Sequence, residues 1–341
     1  MTRTIDYLAS SARRILFFFN PTAGARSRQR RIAQCVAALE GADFAVETIS
    51  DPDQLAEIAG VPDPNLRSVV AAGGDGTVAM VANRTAPSTP IAILPFGTEN
   101  LLAKYCETTK VASVLGVQIA RGATVYLDVG EANGRLFLLM AGCGFDAEVV
   151  HRLHASRRGH IRHSSYIKPI LDSIRRYEYP ALRVRCRQVE PSERSVRTET
   201  LDAVDAPETV VAPVRWVFIV NLPRYAGGLN FVPAAVGTDG LLDVCTFRHG
   251  SFARGLRYLW GVVRRRHLAW PDVTHCQARA IRVESDQPVA FQLDGDPGGM
   301  LPVDIRVLPA RLRLVVDTQW AMRHGFEQTA LDREVNGHKE P

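Results

Sequence analysis

Between Ile15 and about Ala120 the chain alternates short β-rich runs with segments of helical period. Ile15–Phe19 reads as the first strand, and the apolar positions Ile32, Cys35, Val36 and Leu39 then recur at intervals of three and four, the stripe of a helix packed on one face. Ala45–Ile49 reads as the next strand; Asp51-Pro52 supplies an N-cap and a first-turn proline, and Gly60 closes the helix that follows. Ser68–Ala72 and Ile91–Leu94 are continuous apolar runs, as strands buried on both faces should be, and each leads through a loop into another helical segment. The pattern predicts an open, mostly parallel α/β sheet. Ligands of such sheets bind beyond the carboxyl ends of the strands, which is where Gly73–Thr77 and Pro95–Asn100 fall.

After Asp128 the texture changes. Thr124–Val129 and Arg135–Ala141 flank Asn133-Gly134, a hairpin signal because both central positions need positive φ. Further β runs follow at Leu182–Cys186, Arg215–Val220, Leu242–Phe247, Ala280–Val283, Val289–Leu293, Val303–Val307 and Leu312–Val316, so this part is predicted to be mainly antiparallel β. The polar stretch Gln188–Pro213 reads as an exposed connection, and the tail from Asp332 as disordered. The expected organisation is an α/β domain over 13–127, a mainly β domain over 128–320 and a C-terminal extension over 321–341 that packs back on the first domain, with the active site in the cleft between the two domains.

The 341 residues, 46% of them hydrophobic, can build more than one core. A net charge of +5 with a pI near 9.0 is a mild excess, which suits nucleotides or an anionic surface and marks no nucleic-acid platform. The six cysteines have no metal-ligand spacing and suggest neither a zinc site nor a disulfide framework, so a reducing cytoplasm fits. Ile15–Phe19 is too short for a signal-peptide core, and no apolar run is long enough to span a bilayer.

Candidate chemistry concentrates in Gly73-Gly74-Asp75-Gly76-Thr77, between a buried strand and a helix. Glycines there let a phosphate approach backbone amides and permit positive φ, and the helix N-terminus behind them favours negative charge. Asp75 cannot hold a phosphate, so its expected role is toward magnesium, directly or through water. No P-loop consensus occurs. Gly142-Cys143-Gly144-Phe145-Asp146-Ala147 spells part of a dinucleotide fingerprint but lacks the βαβ context, and reads as a false match. Asp294-Gly295 is also a hairpin signal, and Asp239 and Asp243 bracket a turn where turn chemistry competes with a structural divalent cation. A basic segment from Arg254 to His267 is interleaved with Leu256, Tyr258, Leu259, Trp260, Val262 and Val263, and another runs from Arg152 to Arg162. Such surfaces suit anionic headgroups.

Asn20-Pro21-Thr22-Ala23-Gly24, Gly73–Thr77 and Pro95-Phe96-Gly97-Thr98-Glu99-Asn100-Leu101-Leu102-Ala103 resemble three successive motifs of the diacylglycerol kinase catalytic-domain family, which includes bacterial lipid kinases and sphingosine kinases. The resemblance continues through Ala141–Ala147, Asn221, Gly227-Gly228, Pro233–Ala235, Asp239–Asp243 and Asp294-Gly295-Asp296, nearly the whole chain. It implies an ATP- and Mg2+-dependent lipid kinase: Asn20, Pro21 and Gly24 would line the nucleotide site, Gly73, Gly74, Gly76 and Thr77 would hold phosphates, and Gly97, Thr98 and Asn100 would contact the nucleotide. Asp75 and Asp128 would join one hydrated magnesium network, with Asp239, Asp243 and Asp296 as further metal candidates, and Asp294 would be the general base. The departures are Ala23 for serine, Glu99, Ala79-Met80 and Asp296 for the usual glutamate.

The acceptor that the family suggests is diacylglycerol, giving phosphatidic acid, or a sphingoid-type lipid. The enzyme would meet this lipid in transient peripheral contact at the inner membrane surface, and a homodimer is compatible with the sequence. Two alternatives carry weight: an NAD kinase-like enzyme acting on a soluble dinucleotide, and a non-catalytic nucleotide- or lipid-binding regulator. Asn100 followed by Leu101-Leu102-Ala103-Lys104 argues against the first, and the retained Asp75, Asp128 and Asp294 against the second. On this reading Asp294→Asn deletes a proton acceptor without changing shape.

Overall fold

The computed structural model describes residues 3–19, 26–155, 177–187 and 208–328; the Asn20–Gly24 loop, most of Arg152–Arg162 and of 188–213, and the tail from Asp332 lie outside them. The chain forms two compact units, Met1–Leu127 with Ala310–Pro341, and Asp128–Pro309. It re-enters the first unit at Ala310, ahead of the boundary at 320 read from the sequence.

The first unit runs β1 (Thr4–Tyr7), β2 (Arg14–Phe19), α1 (Arg26–Glu40), β3 (Ala45–Ile49), α2 (Pro52–Ala59), β4 (Leu66–Gly73), α3 (Asp75–Arg84), β5 (Pro90–Pro95), α4 (Leu101–Tyr105), α5 (Ala112–Arg121) and the start of β6 (Ala123–Ala132). β3, β2, β4 and β5 lie side by side in that order, all parallel. Every residue of β4 and β5 is buried, which is why their sequences are continuous apolar runs rather than alternating ones. Asp51 caps α2 through the Asp53 N–H at 2.9 Å, as its sequence predicts.

One charged residue in β4 precedes the apolar run. Arg67 is 3% exposed and donates to the carbonyls of Leu8, Ala9, Ile119 and Ala120 at 2.7–3.1 Å. Two of these belong to the last turn of α5, so the guanidinium satisfies orphan carbonyls and complements the helix dipole. Burial pushes its proton affinity down. Gly122 follows with φ 71°, and a Cβ there would lie 2.4 Å from the Arg67 Nη2, so both the turn and the close approach require glycine.

The second unit contains the rest of β6, then β7 (Arg135–Phe137), β8 (Met140–Gly144), α6 (Phe145–Ala155), β9 (Leu182–Arg187), β10 (Glu208–Val214), β11 (Trp216–Val220), β12 (Leu242–Phe247), α7 (Phe252–Val263), β13 (Val273–Ala278), β14 (Ala280–Glu284), β15 (Ala290–Leu293), β16 (Asp296–Met300) and β17 (Val303–Val315). β13-β12-β11-β8-β15-β16 form a six-stranded antiparallel sheet. β10, β9, β14 and the first part of β17 form a second antiparallel layer. Val217 and Ile219 of β11 face the core shared by the two layers, whereas Trp216, Phe218 and Val220 face a separate aromatic core with Phe145 of α6 and Tyr258 of α7. The two-residue period of a strand sorts them.

The structure corrects the sequence reading here in three places. Val303–Val307 and Leu312–Val315, read as two runs, belong to one strand, β17, which passes through Ala310 at φ 52°. β10 occupies the end of what was read as a connection, and β13, half polar, was not foreseen. The end of β17 pairs in parallel with β5, and α8 (Thr318–Arg323) and β18 (Glu327–Gln328) complete the first unit. Trp320 there donates from Nε1 to the Tyr105 carbonyl at 2.8 Å. Among the described residues no helix is long and apolar enough to cross a membrane.

Candidate functional site

In the first unit, β4 and β5 end in register, Gly73 opposite Pro95, and the Phe96 N–H donates to the Gly73 carbonyl at 2.8 Å. The loops that leave these strands therefore start at one level and touch. A Cβ on Gly97 would sit 2.4 Å from the Gly74 Cα, and one on Gly73 would sit 2.1 Å from the Thr77 Oγ1. Gly74 itself has φ −94° and ψ −172°, so it uses none of the positive φ expected of this turn. Loop-to-loop packing demands Gly97 against Gly74, whereas Gly73 makes room for Thr77 of its own loop.

Asp75 opens α3 and reaches across to the other loop. Its Oδ2 accepts the Leu101 N–H at 2.9 Å and its Oδ1 the Leu102 N–H at 3.0 Å, so a side chain from α3 caps α4. Asn100, the local N-cap residue, makes no cap bond. It stands at φ 50° and turns its amide back on Gly97, accepting that N–H at 2.8 Å and donating to that carbonyl at 2.7 Å. Thr98 is exposed at the loop tip. Each Asp75 oxygen keeps a second lone-pair direction, which fits contact with a hydrated cation. The Asn20, Pro21 and Gly24 expectations fall outside the described residues.

In the second unit, Asp294 and Gly295 are the two-residue loop between β15 and β16, with φ 51° and 86°, as a hairpin of Asp-Gly requires. The Asp294 carboxylate does more than turn the chain. Oδ2 accepts the Leu138 N–H at 2.7 Å, and Oδ1 accepts those of Leu139 and Met140 at 2.8 and 3.0 Å. Asn221 continues the network, donating from Nδ2 to the carbonyls of Leu138 at 2.7 Å and Asp128 at 2.8 Å. Asp128, 4% exposed, accepts the Gly240 N–H on Oδ2 at 2.7 Å. Asp128 and Asp294 are thus joined through Asn221 and the Leu138 peptide.

The remaining metal candidates have protein partners. Asp243 is buried and its Oδ1 lies 2.7 Å from the His275 Nε2; that contact first of all raises the imidazole's proton affinity. Partial burial, then the nearby Asp243 and Asp128 carboxylates, push Asp239 up. Asp296 lies 3.7 Å from the Arg135 Nη2. Among the described residues no three of His, Cys, Asp or Glu come together as a ligand set for an ion. In the Asp239–Asp243 turn, Asp243 gives one oxygen to His275 and Asp239 accepts the Leu241 N–H at 3.0 Å. Asp75 and Asp128 lie in different units, and each is engaged within its own.

Sequence reading missed Gln292. It is fully buried in β15, donates from Nε2 to the Asp146 Oδ2 at 2.7 Å and accepts the Gly295 N–H on Oε1 at 2.7 Å. Asp146, partly accessible as a residue, is still desolvated enough at its carboxyl to be pushed up to about 6. A Cβ on Gly142 would lie 2.3 Å from the Asp146 Oδ2 and 2.8 Å from the Gln292 Nε2, so this glycine makes room for the pair. The dismissed stretch Gly142–Ala147 has a physical reason after all, one unrelated to dinucleotides. A lone glutamine in an apolar strand beside Asp294 was the available signal.

Comparison with known proteins agrees with both halves of this description. Residues 14–132 match the diacylglycerol kinase catalytic domain, and residues 140–316 match the YegS C-terminal NAD kinase beta sandwich-like domain. The chain is 23% identical over 319 residues to a diacylglycerol kinase of Bacillus subtilis, covering 91% of this chain and 98% of the relative. It is 28% identical over 255 residues to a diacylglycerol kinase of Mycobacterium tuberculosis, covering 73% and 76%. A crystal structure of a diacylglycerol kinase from Bacillus anthracis superposes with a TM-score of 0.63 at 20% identity, covering 90% of this chain and 98% of the other, which shows a shared fold. With both domain profiles met in order along most of its length, the chain belongs to the diacylglycerol kinase catalytic-domain family.

Proposed function

We propose that this family member is an ATP-dependent lipid kinase that transfers the γ-phosphoryl group to a hydroxyl of a membrane lipid, diacylglycerol giving phosphatidic acid. The observation that carries the reading is the meeting of the Gly73–Thr77 and Pro95–Asn100 loops at the carboxyl ends of adjacent parallel strands. The N-terminus of α3 opens there, in the position where such sheets take phosphates. In this role the loops orient the triphosphate, and the Asp75 cap keeps the two loops in one arrangement.

Phosphoryl transfer asks the protein chiefly for positioning, plus one proton acceptor. In this proposal Asp294 is that acceptor. The lipid oxygen forms its bond to the γ-phosphorus as the bond to the ADP oxygen breaks, ADP leaves with the electron pair, and the hydroxyl proton passes to the Asp294 carboxylate. Magnesium, borne by the triphosphate and contacted by Asp75 through water, would neutralise the transferring charge. Three N–H groups hold Asp294 in a single geometry, which suits an acceptor that must not search for its target.

The test is transfer of labelled γ-phosphate from ATP to a panel of lipids in mixed micelles, with NAD and a lipid-free blank alongside. Label in diacylglycerol supports the proposal. Label confined to NAD, or no label in any acceptor, rejects it.

A further inference from the structure

Helix α7 packs one side on the aromatic core through Tyr258 and Val262 and leaves large apolar side chains on another. Phe252 is 46% exposed, Leu256 40%, Trp260 52% and Val263 67%, and Leu268 just beyond is 37% exposed. At 100° per residue the first four fall within an arc of about 80°, a continuous stripe along one face. Five arginines lie on or beside the helix: Arg254 and Arg257 pair with Asp272 at 3.3 and 2.7 Å, while Arg264, Arg265 and Arg266 cluster at its C-terminal end. Arg257 stacks over the Trp270 ring at 4.1 Å and Arg264 over the Trp260 ring at 5.7 Å, so cations border the apolar stripe.

We infer that α7 is a membrane-docking helix whose Phe252, Leu256, Trp260 and Val263 enter the interface of an anionic phospholipid bilayer, while Arg264, Arg265 and Arg266 at its C-terminal end engage its phosphate groups. Charge complementarity selects this occupant: a purely apolar protein partner gives no reason for a cationic rim, whereas an anionic leaflet attracts these three arginines and accepts the apolar face. Exposed tryptophan bordered by arginine is the composition of the headgroup level. The inference deepens the proposed function, because a chain that phosphorylates a bilayer lipid has to be held at that surface, yet the docking itself can be read without any turnover.

The experiment is sedimentation of the full chain with phosphatidylcholine vesicles, with and without phosphatidylglycerol, followed by Trp260 quenching with brominated acyl chains. Trp216 and Trp320 are fully buried and stay silent, whereas Trp270 is partly exposed and stacked on Trp260, so the comparison with Trp260→Phe separates the two. Anionic vesicles should bind at least about tenfold more tightly than neutral ones, and added salt should weaken that binding. Leu256→Ser with Trp260→Ser should lose about tenfold or more, while turnover on a short-chain, water-soluble diacylglycerol and the melting temperature stay at wild-type level. Loss of quenching in Trp260→Phe, with vesicle binding kept, would place that ring in the bilayer. Equal binding of the double variant, or no preference for anionic vesicles, overturns the inference. So does a concentration-dependent dimer that the double variant abolishes while vesicles go unbound, since a second copy would then cover the face. Vesicle binding without kinase turnover on any lipid supports docking and counts against the proposed function alone.

Discussion

The Gln292 amide bridges Asp146 and Gly295, bonding each at 2.7 Å, and so ties a partly desolvated carboxyl to the turn that carries Asp294. Asp146 is pushed up to about 6 mainly by desolvation, against the opposing hydrogen bonds from Gln292 and Tyr225. A raised carboxyl favours the protonated folded state, so its contribution to stability is present below the unfolded value near 4 and is lost as pH rises through about 6. Asp146→Asn should therefore flatten the stability profile across that window. It should gain about 1–2 kcal/mol relative to wild type above pH 6, after discounting for partial accessibility. Urea melts at a series of pH values test this, and a parallel pH dependence in both proteins would remove Asp146 as its source.

Gln292→Leu should do the opposite. It leaves the Gly295 N–H without its acceptor and the Asp146 carboxyl with only the longer Tyr225 bond, which costs about 2–3 kcal/mol. If the glutamine also positions the Asp294 turn, kcat should fall with little change in the KM for ATP, and Gln292→Glu assayed at low pH, where the glutamate is protonated, should recover part of it. A stability loss with unchanged kcat would leave Gln292 a structural residue only.

Asp75 is expected to show two separable effects. Asp75→Ala removes both acceptors from the first turn of α4 and should lower stability by about 1–2 kcal/mol. Asp75→Asn keeps one acceptor and should lose less stability, but should suppress phosphoryl transfer as strongly if the charge acts on magnesium. Comparing melting temperatures and turnover of the two variants decides the matter; activity that merely follows stability would reduce Asp75 to a helix cap.

Asp294→Asn is not the shape-preserving deletion that its sequence suggested. With three backbone N–H groups aimed at the carboxylate, an amide must point its own N–H groups at one or more of them. The variant should lose about 1–3 kcal/mol of stability as well as most turnover, while ATP binding, followed by a fluorescent analogue, stays near wild type. Turnover close to wild type would end the proton-acceptor assignment.

Cys186 and Cys276, 90 residues apart in sequence, have sulfurs 3.7 Å apart in the second unit. The hydrogen bond with Cys186, with help from the nearby His275, lowers Cys276 below the ordinary thiol value, and this thiol is partly exposed. A mild thiol oxidant at about pH 8 should join them intramolecularly, consuming two thiols per chain, and Cys276→Ser should prevent it. Mass spectrometry of the alkylated chain checks the count.

The sequence by itself determined the order of layers and the place of the loops at the carboxyl ends of β4 and β5. Continuous apolar runs in β4 and β5 could only be strands covered on both faces, and Asn133-Gly134 could only turn tightly, so local pattern was enough. Half-polar β13 and the unbroken β17 escaped because edge pairing and a positive φ at Ala310 depend on neighbours far along the chain. Tertiary structure alone decided what the polar residues do. It made Asp75 a cap for α4 and Arg67 a bond donor to four distant carbonyls, set Gln292 against a residue 146 positions away, and chose which side of α7 stays exposed. A hydrophobic period is written in adjacent residues, whereas the partner of a buried polar group is fixed only when the chain has closed around it.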